Sequence, residues 1–342
     1  MDNYKIDFVV TWLDSSDSEW KREYNKYKGI TSEGDQTNAR FRDWDVFKYW
    51  FRAVENYAPW VNKVFLITNG TFPKWINKEH PKLVLVKHSD YIPEKFLPTF
   101  NSCTIELHMN KIEGLSEHFV YFNDDVYINA PITPEYYFRK GLPCDWNAES
   151  FFNVPQYNPT DRFNILISML VDIGVLNAHF DRRKVCMQSP KRWLGLHLRE
   201  GWLLSLFLLL YRKKNLFIGF NKKHAEQPYL KSIFEDVWDK EPDMLEESCT
   251  RFREDVILNP YIFRYWQFAS NKFYPVRNKC IKAYRVTEDT ISAIIGAIQN
   301  KHINSLCIND TPFCTDDEFV RLKDAVHQAF DKKFPQRSSY EV

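Results

Sequence analysis

Two adjacent carboxylates preceded by an amide, Asn123-Asp124-Asp125, follow the apolar run Phe119–Phe122. Such a pair at a strand end offers a hard divalent cation oxygen ligands and leaves other positions for phosphate and water. Nucleotide-sugar transferases often use an acidic pair in this place, although a turn or helix-cap cluster has the same composition. Neighbouring side chains on extended backbone point to opposite sides, so only one of Asp124 and Asp125 reaches a metal directly. His224 opens the segment His224-Ala-Glu-Gln-Pro228, just ahead of a helix, with Lys231 a turn later. Imidazole moves protons near neutral pH, while the plain alternative is a structural histidine. Arg251-Phe-Arg253 puts two guanidiniums on one side of extended chain, as a diphosphate clamp or as a solvated pair. Arg40-Phe-Arg42-Asp43 stands at a helix start, where N–H groups and guanidinium forks suit phosphate, and where a solvated face is the blander reading. Glu106 and Asn110 share one helical face, with His108 turned away from it.

The elements that must position these residues alternate strand and helix over the first 140 residues, as in an α/β sheet. Ile6–Trp12 is a β-branched, apolar run ending in the acidic loop Asp14–Asp17, and Asn25–Ala39 is a polar stretch that reads as a mobile loop. Asp43 opens a helix carrying Phe47, Trp50, Phe51, Val54 and Tyr57 at helical spacing, stopped by Pro59. Further strands are expected at Val64–Thr68, closed by Asn69-Gly70, at Leu83–Val86, closed by His88, and at Phe119–Phe122; a helix is expected near Ser102–Ile112. Each strand thus finishes on polar residues, and ligands of open α/β sheets sit outside those carboxyl ends. From about residue 141 helices dominate the pattern, near 195–212, 228–239, 255–269, 286–300 and 316–330. The expected organisation is an α/β core over 1–140 with a helical elaboration over 141–342 that completes the same catalytic unit.

Composition excludes several classes. Lys+Arg 46 against Asp+Glu 45 gives a net charge of +1, so no basic field invites nucleic acid. Glycine is scarce, 10 of 342 residues, and neither G-x-G-x-x-G nor the P-loop pattern occurs. The seven cysteines are scattered with no C-x-x-C, which suits reduced thiols in a cytosolic protein, and no H-E-x-x-H or clustered Cys/His pair suggests zinc. A G-x-S-x-G elbow is missing too. No signal peptide is visible at the N-terminus. The apolar run Trp202–Leu210 is far shorter than the roughly 20 residues of a membrane span. It reads as a buried helix, or, given Arg212, Lys213 and Lys214 directly after it, as one lying on a membrane surface.

Four separated blocks give the chain a close resemblance to the Stealth family of sugar-1-phosphate transferases. They are Ile6–Asp17; a long second block running from Arg40-Phe-Arg-Asp-Trp-Asp45 through Tyr57-Ala-Pro-Trp60, Ile67-Thr-Asn-Gly70, Leu97-Pro-Thr-Phe-Asn-Ser102 and Gly114-Leu-Ser116 to Asn123-Asp-Asp-Val126; His224–Pro228 with Arg251-Phe-Arg253; and Cys307-Ile-Asn-Asp310. The family includes bacterial capsular and cell-wall polysaccharide phosphotransferases and the eukaryotic lysosomal-enzyme GlcNAc-1-phosphotransferase. Leu13 stands where the family usually has Val, and the long insertions and membrane anchors of the animal enzyme are missing, so the chain looks like the compact bacterial, glycan-building branch.

The resemblance implies a Rossmann-like, nucleotide-sugar-transferase-type mostly parallel sheet. It also implies a reaction: a glycan hydroxyl attacks the β-phosphorus of a UDP-sugar, making a phosphodiester and releasing UMP in capsule or cell-surface polysaccharide synthesis. By the same resemblance His224, Arg253, Asp17 and Asp310 are expected to be catalytic, with His224 the general base and Arg253 the diphosphate clamp. Asp14, Arg42, Asp43, Asn69, Asn101, Arg251 and Asn309 are expected to contact substrate, and Asn123, Asp124 and Asp125 to hold Mg²⁺ or Mn²⁺. The implied partners are the UDP-sugar and a glycan or lipid-linked oligosaccharide acceptor, met by a cytoplasmic enzyme at the inner face of the membrane. Two other readings stay open at this point, a metal-dependent glycosyltransferase that releases UDP and a glycan-binding module without catalysis.

Overall fold

The computed structural model describes residues 4–14, 16–29, 44–147, 149–150, 165–193, 213–221, 224–253, 257–276, 281–310 and 315–342. Its strands are β1 (Ile6–Thr11), β2 (Val64–Thr68), β3 (Leu83–Lys87), β4 (His118–Phe122), β5 (Val126–Ile128), β6 (Phe138–Arg139), β7 (Leu142–Asp145), β8 (Gln227–Leu230), β9 (Tyr274–Pro275), β10 (Ile281–Arg285) and β11 (Ser305–Asn309). The main sheet runs β3-β2-β1-β4-β8. β1 pairs in parallel with β2 and β4, β2 pairs in parallel with β3, and β8 lies antiparallel along β4. Strand β1 is buried over five of its six residues, as a central parallel strand with both faces covered must be. The order reverses between β1 and β4, the switch point at which open α/β sheets bind ligands, so the fold is Rossmann-like.

Antiparallel β8 has a direct consequence for the site. Its first residue, Gln227, pairs with Tyr121 near the carboxyl end of β4, which brings His224 to the same sheet edge as Asn123–Asp125. A second sheet, β10-β11-β5, adds the third contribution. β5 follows β4 after one turn and pairs antiparallel with β11, Cys307 opposite Val126, and the Ile308 amide donates to the Asp125 carbonyl at 2.9 Å. The third sheet, β6-β7-β9, borders the core.

Helix α1 spans Ser18–Lys28, α2 Phe47–Tyr57, α3 Ser102–Leu107, α4 Ile165–His179, α5 Lys231–Lys240, α6 Tyr261–Ala269, α7 Ile291–Gln299 and α8 Asp316–Lys333. The abundant aromatic residues have a packing role. Phe8 meets Trp50, Trp60, Phe122 and Tyr137 edge-on or tilted, fixing α2 against β1 and β4. Buried α2 also carries Arg52, whose guanidinium binds the Glu341 carboxylate through two hydrogen bonds of 2.8 and 2.7 Å and the Phe334 carbonyl through a third. One apolar core runs from Ile6 to Tyr340, through both halves of the chain.

Several expected elements differ. Asn25–Lys28 is not loop but the last turn of α1, which Asp17 caps and Gly29 closes at φ 72°. The Ser102–Ile112 helix breaks at His108 into α3 and a 3₁₀ turn, Met109–Lys111. Gln227–Leu230 is strand where helix was expected, because pairing with β4 and a hydrogen bond from the Leu230 amide to the Gln267 side chain hold it extended. Beyond residue 140, β10 and β11 join the helices. The expected 195–212 helix, with Trp202–Leu210, lies outside the described residues, as does the expected loop from residue 30 onward. Among the described residues no helix is long and apolar enough to cross a membrane. Five described cysteines, Cys103, Cys144, Cys186, Cys249 and Cys307, are free thiols.

Candidate active site

Three segments converge beyond the carboxyl end of β4: the turn after it, the stretch leading into β8, and β11. The turn after β4 supplies Asn123, Asp124 and Asp125; it closes with the Val126 amide on the Asn123 carbonyl at 3.1 Å. The His224 imidazole Nε2 lies 3.4 Å from Asp125 Oδ2, and Cys307 Sγ donates to the same oxygen at 3.5 Å. His224 is the most open of the three at 39% side-chain exposure, Asp125 is half-buried, and Cys307 is buried. Burial first, then the Asp125 carboxylate, drives the Cys307 thiol pKa far up, so the sulfur holds its proton. Asn309 hydrogen-bonds Cys307, and Asp310 follows directly at the end of β11.

Glu106 and Arg253 lie within electrostatic range of this cluster. Deep enclosure pushes the Glu106 carboxyl up to about 7, against the lowering influence of Arg253, the Tyr121 hydroxyl and His224. The Tyr121 hydroxyl donates to Asn123 Oδ1 at 2.7 Å and lies 3.4 Å from the Thr11 hydroxyl. A network thus ties β1, β4 and α3 together beneath the acidic turn. Arg253 also reaches Cys103, whose thiol burial raises to about 12.

Of the residues singled out in the sequence, Asp125 and His224 meet directly, Asn123 is held by the Tyr121 hydroxyl, Asp124 lies within electrostatic range of Tyr121 and Cys307, and Arg253 joins through Glu106. Others make contacts within the scaffold. Asp17 accepts the Glu19 and Trp20 amides at the start of α1 and the Thr71 hydroxyl at 2.8 Å. Asn101 is fully buried, caps α3 through the Cys103 amide, and binds Thr250. Arg251 donates to the Pro98 and Leu97 carbonyls and covers the Tyr27 ring. Asp14 closes a turn on Ser16, and Asn69 one on the Thr71 amide. Arg42 and Asp43 lie outside the described residues.

Glu106, Tyr121 and Cys307 were not nominated from sequence. Glu106 drew notice only for sharing a helical face with Asn110, whereas Tyr121 and Cys307 look like ordinary core residues until the strands are paired.

The donor set fits a hard divalent cation. Asp125 Oδ1 is buried with no hydrogen-bond partner among the described residues, a costly state for a carboxylate oxygen that a cation would relieve.

The CR2 conserved region 2 of Stealth proteins matches residues 40–144. A capsular polysaccharide phosphotransferase, WcwK of Streptococcus pneumoniae, is 36% identical over 345 residues and covers 98% of each chain. The receptor polysaccharide phosphotransferase WefC of Streptococcus oralis is 36% identical over 99% of both chains. The exopolysaccharide phosphotransferase cps2G of Lactiplantibacillus plantarum is 35% identical over 99% of this chain and 96% of that one. The chain belongs to the Stealth family. As a Stealth protein it is a transferase of phosphate-containing groups. The solved galactosyltransferase LgtC aligns over 94% of this chain with a TM-score of 0.36 and 9% identity, a likeness too loose to add to the strand order above.

Proposed function

We propose that this Stealth protein transfers a hexose-1-phosphate or N-acetylhexosamine-1-phosphate from a UDP-sugar to a hydroxyl of a growing polysaccharide or oligosaccharide, releasing UMP. The observation that carries the reading is the His224–Asp125 pair at the switch point of the sheet, with Glu106 and Arg253 within electrostatic range. The tautomer that donates Nε2–H to Asp125 leaves the Nδ1 lone pair as the basic site. Asp125 orients the ring and favours the imidazolium that forms.

In the proposed step, His224 takes the acceptor hydroxyl proton as that oxygen bonds to the β-phosphorus. The bridging P–O bond to the α-phosphate breaks and UMP departs with its electron pair. Charge grows on the transferring phosphoryl oxygens, so positioned cations carry most of the acceleration. Arg253, held by Glu106, supplies a guanidinium fork for the diphosphate. Mg²⁺ or Mn²⁺ held by Asp125 with Asp124 and Asn123 would neutralise the diphosphate further. Asn309 and Asp310 flank the same opening and are proposed donor contacts; Asp14, Asn69, Arg42 and Asp43 are proposed to complete the donor pocket along the strand ends. The acceptor's lipid carrier would place the enzyme against the cytoplasmic face of the membrane.

The test is nucleotide release from a panel of UDP-sugars with Mg²⁺ and an acceptor glycan, separating UMP from UDP. Acceptor-dependent UMP is expected. UDP in its place would mean attack at the anomeric carbon and overturn the proposal.

A further inference from the structure

The donor set at the site contains more than a magnesium enzyme requires. Asp125 Oδ2, His224 Nε2 and Cys307 Sγ all lie within 4.8 Å of one another. Two of the three separations are known closely, 3.4 Å from oxygen to nitrogen and 3.5 Å from oxygen to sulfur. A tetrahedral zinc, with bonds of about 2.0 Å to nitrogen and oxygen and about 2.3 Å to sulfur, has ligand-to-ligand edges of about 3.3 to 3.5 Å. Two edges of the trio thus match a face of a zinc tetrahedron, and the third pair of ligand atoms lies within 4.8 Å.

We infer that Asp125, His224 and Cys307 form an inhibitory site for a thiophilic divalent cation such as Zn²⁺, overlapping the proposed general base. A hard cation prefers all-oxygen ligands, so it has no use for the sulfur. Zinc binds imidazole and thiolate tightly. On binding, the Cys307 S–H bond breaks, a Zn–S bond forms, and the proton goes to solvent. The cation takes the place of the thiol proton that lies between sulfur and carboxylate. Coordination at Nε2 fixes the remaining imidazole proton on Nδ1, so His224 no longer has a lone pair for the acceptor hydroxyl. No sequence motif announces the site, because His224 and Cys307 lie 99 and 182 residues from Asp125 and only the paired sheets bring them together.

The binding half of this inference is independent of the phosphotransfer reading; only the inhibition rests on it. The test uses the full chain without substrate. Co²⁺ serves as the coloured stand-in for zinc, read by its thiolate charge-transfer band in the near ultraviolet, and Zn²⁺ is titrated against a chromophoric chelator. One zinc per chain and a cobalt band are expected. Cys307→Ser should abolish the band and weaken zinc about tenfold or more. Cys186→Ser, which alters a half-buried thiol elsewhere, should retain both. Should Cys307→Ser fail to fold, His224→Ala, a change at an exposed side chain, must weaken zinc likewise. No band, a band that survives Cys307→Ser, or zinc affinity unchanged in His224→Ala overturns the site. Zinc that binds as described yet leaves acceptor-dependent UMP release untouched overturns the inhibition alone.

Discussion

At the scale of single residues, the site rests on unequal environments for groups of similar chemistry. His224→Ala should lower kcat by roughly 10²- to 10⁴-fold, the usual contribution of a positioned base, with the fold intact by circular dichroism. Glu106 carries a second signature. Its folded pKa of about 7 lies above the 4.5 of the unfolded chain, so the unfolded state releases its proton first as pH rises. The Glu106 contribution to stability is full below about 4.5 and is lost progressively toward pH 7, by at most about 3 kcal/mol. Melting temperatures of Glu106→Gln and wild type, compared at pH 5 and pH 7.5, should shift in favour of the variant at the higher pH, while its turnover falls. A difference that stays constant with pH would remove this carboxyl from its enclosed state. A group that weakens the fold at working pH and holds the clamp in place is what a stability–activity trade-off looks like locally.

At the scale of elements, the main strands were legible and the caps were not. β1, β2 and β4 announce themselves as β-branched runs ending in polar turns, because both of their faces are buried. Helix α1 was hidden because its face is polar apart from Trp20, although Asp17 before it and Gly29 after it are standard stops. β8 was misread as helix because its neighbour in space, β4, is a hundred residues away in sequence. The same gap explains the site residues. Asp125 and His224 stood out by chemistry, whereas Cys307 needs the β5–β11 pairing to become interesting. The cap makes a prediction for Asp17. Asp17→Ala should lose about 1 kcal/mol of stability in a denaturant titration, and Asp17→Ser, which keeps a capping oxygen, should retain wild-type turnover. Inactivity of a well-folded Asp17→Ser enzyme would return this carboxylate to the reaction.

At the scale of the whole molecule, the two ends of the chain are locked to each other through α2. Glu341, on the C-terminal segment that bridges to Ile76, grips Arg52 inside the core. Burial opposes ionisation of Glu341, yet its bonds with Arg52 and Ser338 hold the carboxyl below its usual range. That contribution is present above pH 4.5 and lost as pH falls through the lowered pKa. Glu341→Ala leaves the buried Arg52 guanidinium with only the Phe334 carbonyl and the more distant, exposed Asp331 carboxylate, and should cost about 3 kcal/mol, measured by urea unfolding, far more than removing an exposed pair such as Arg321–Glu288.

The late arrival of β8 beside β4 also sets the order in which the protein comes to life. The parallel core β3-β2-β1-β4 closes over loops within the first 122 residues, but His224 and Cys307 take their places only after much longer stretches of chain have been reeled in. Loop closure and non-local pairing slow such events. A chain diluted from denaturant should therefore bury Trp50 and Trp60 around Phe8, and regain their share of the tryptophan signal, before it regains the power to bind cobalt. In the interval it is a folded sheet without an enzyme's hands.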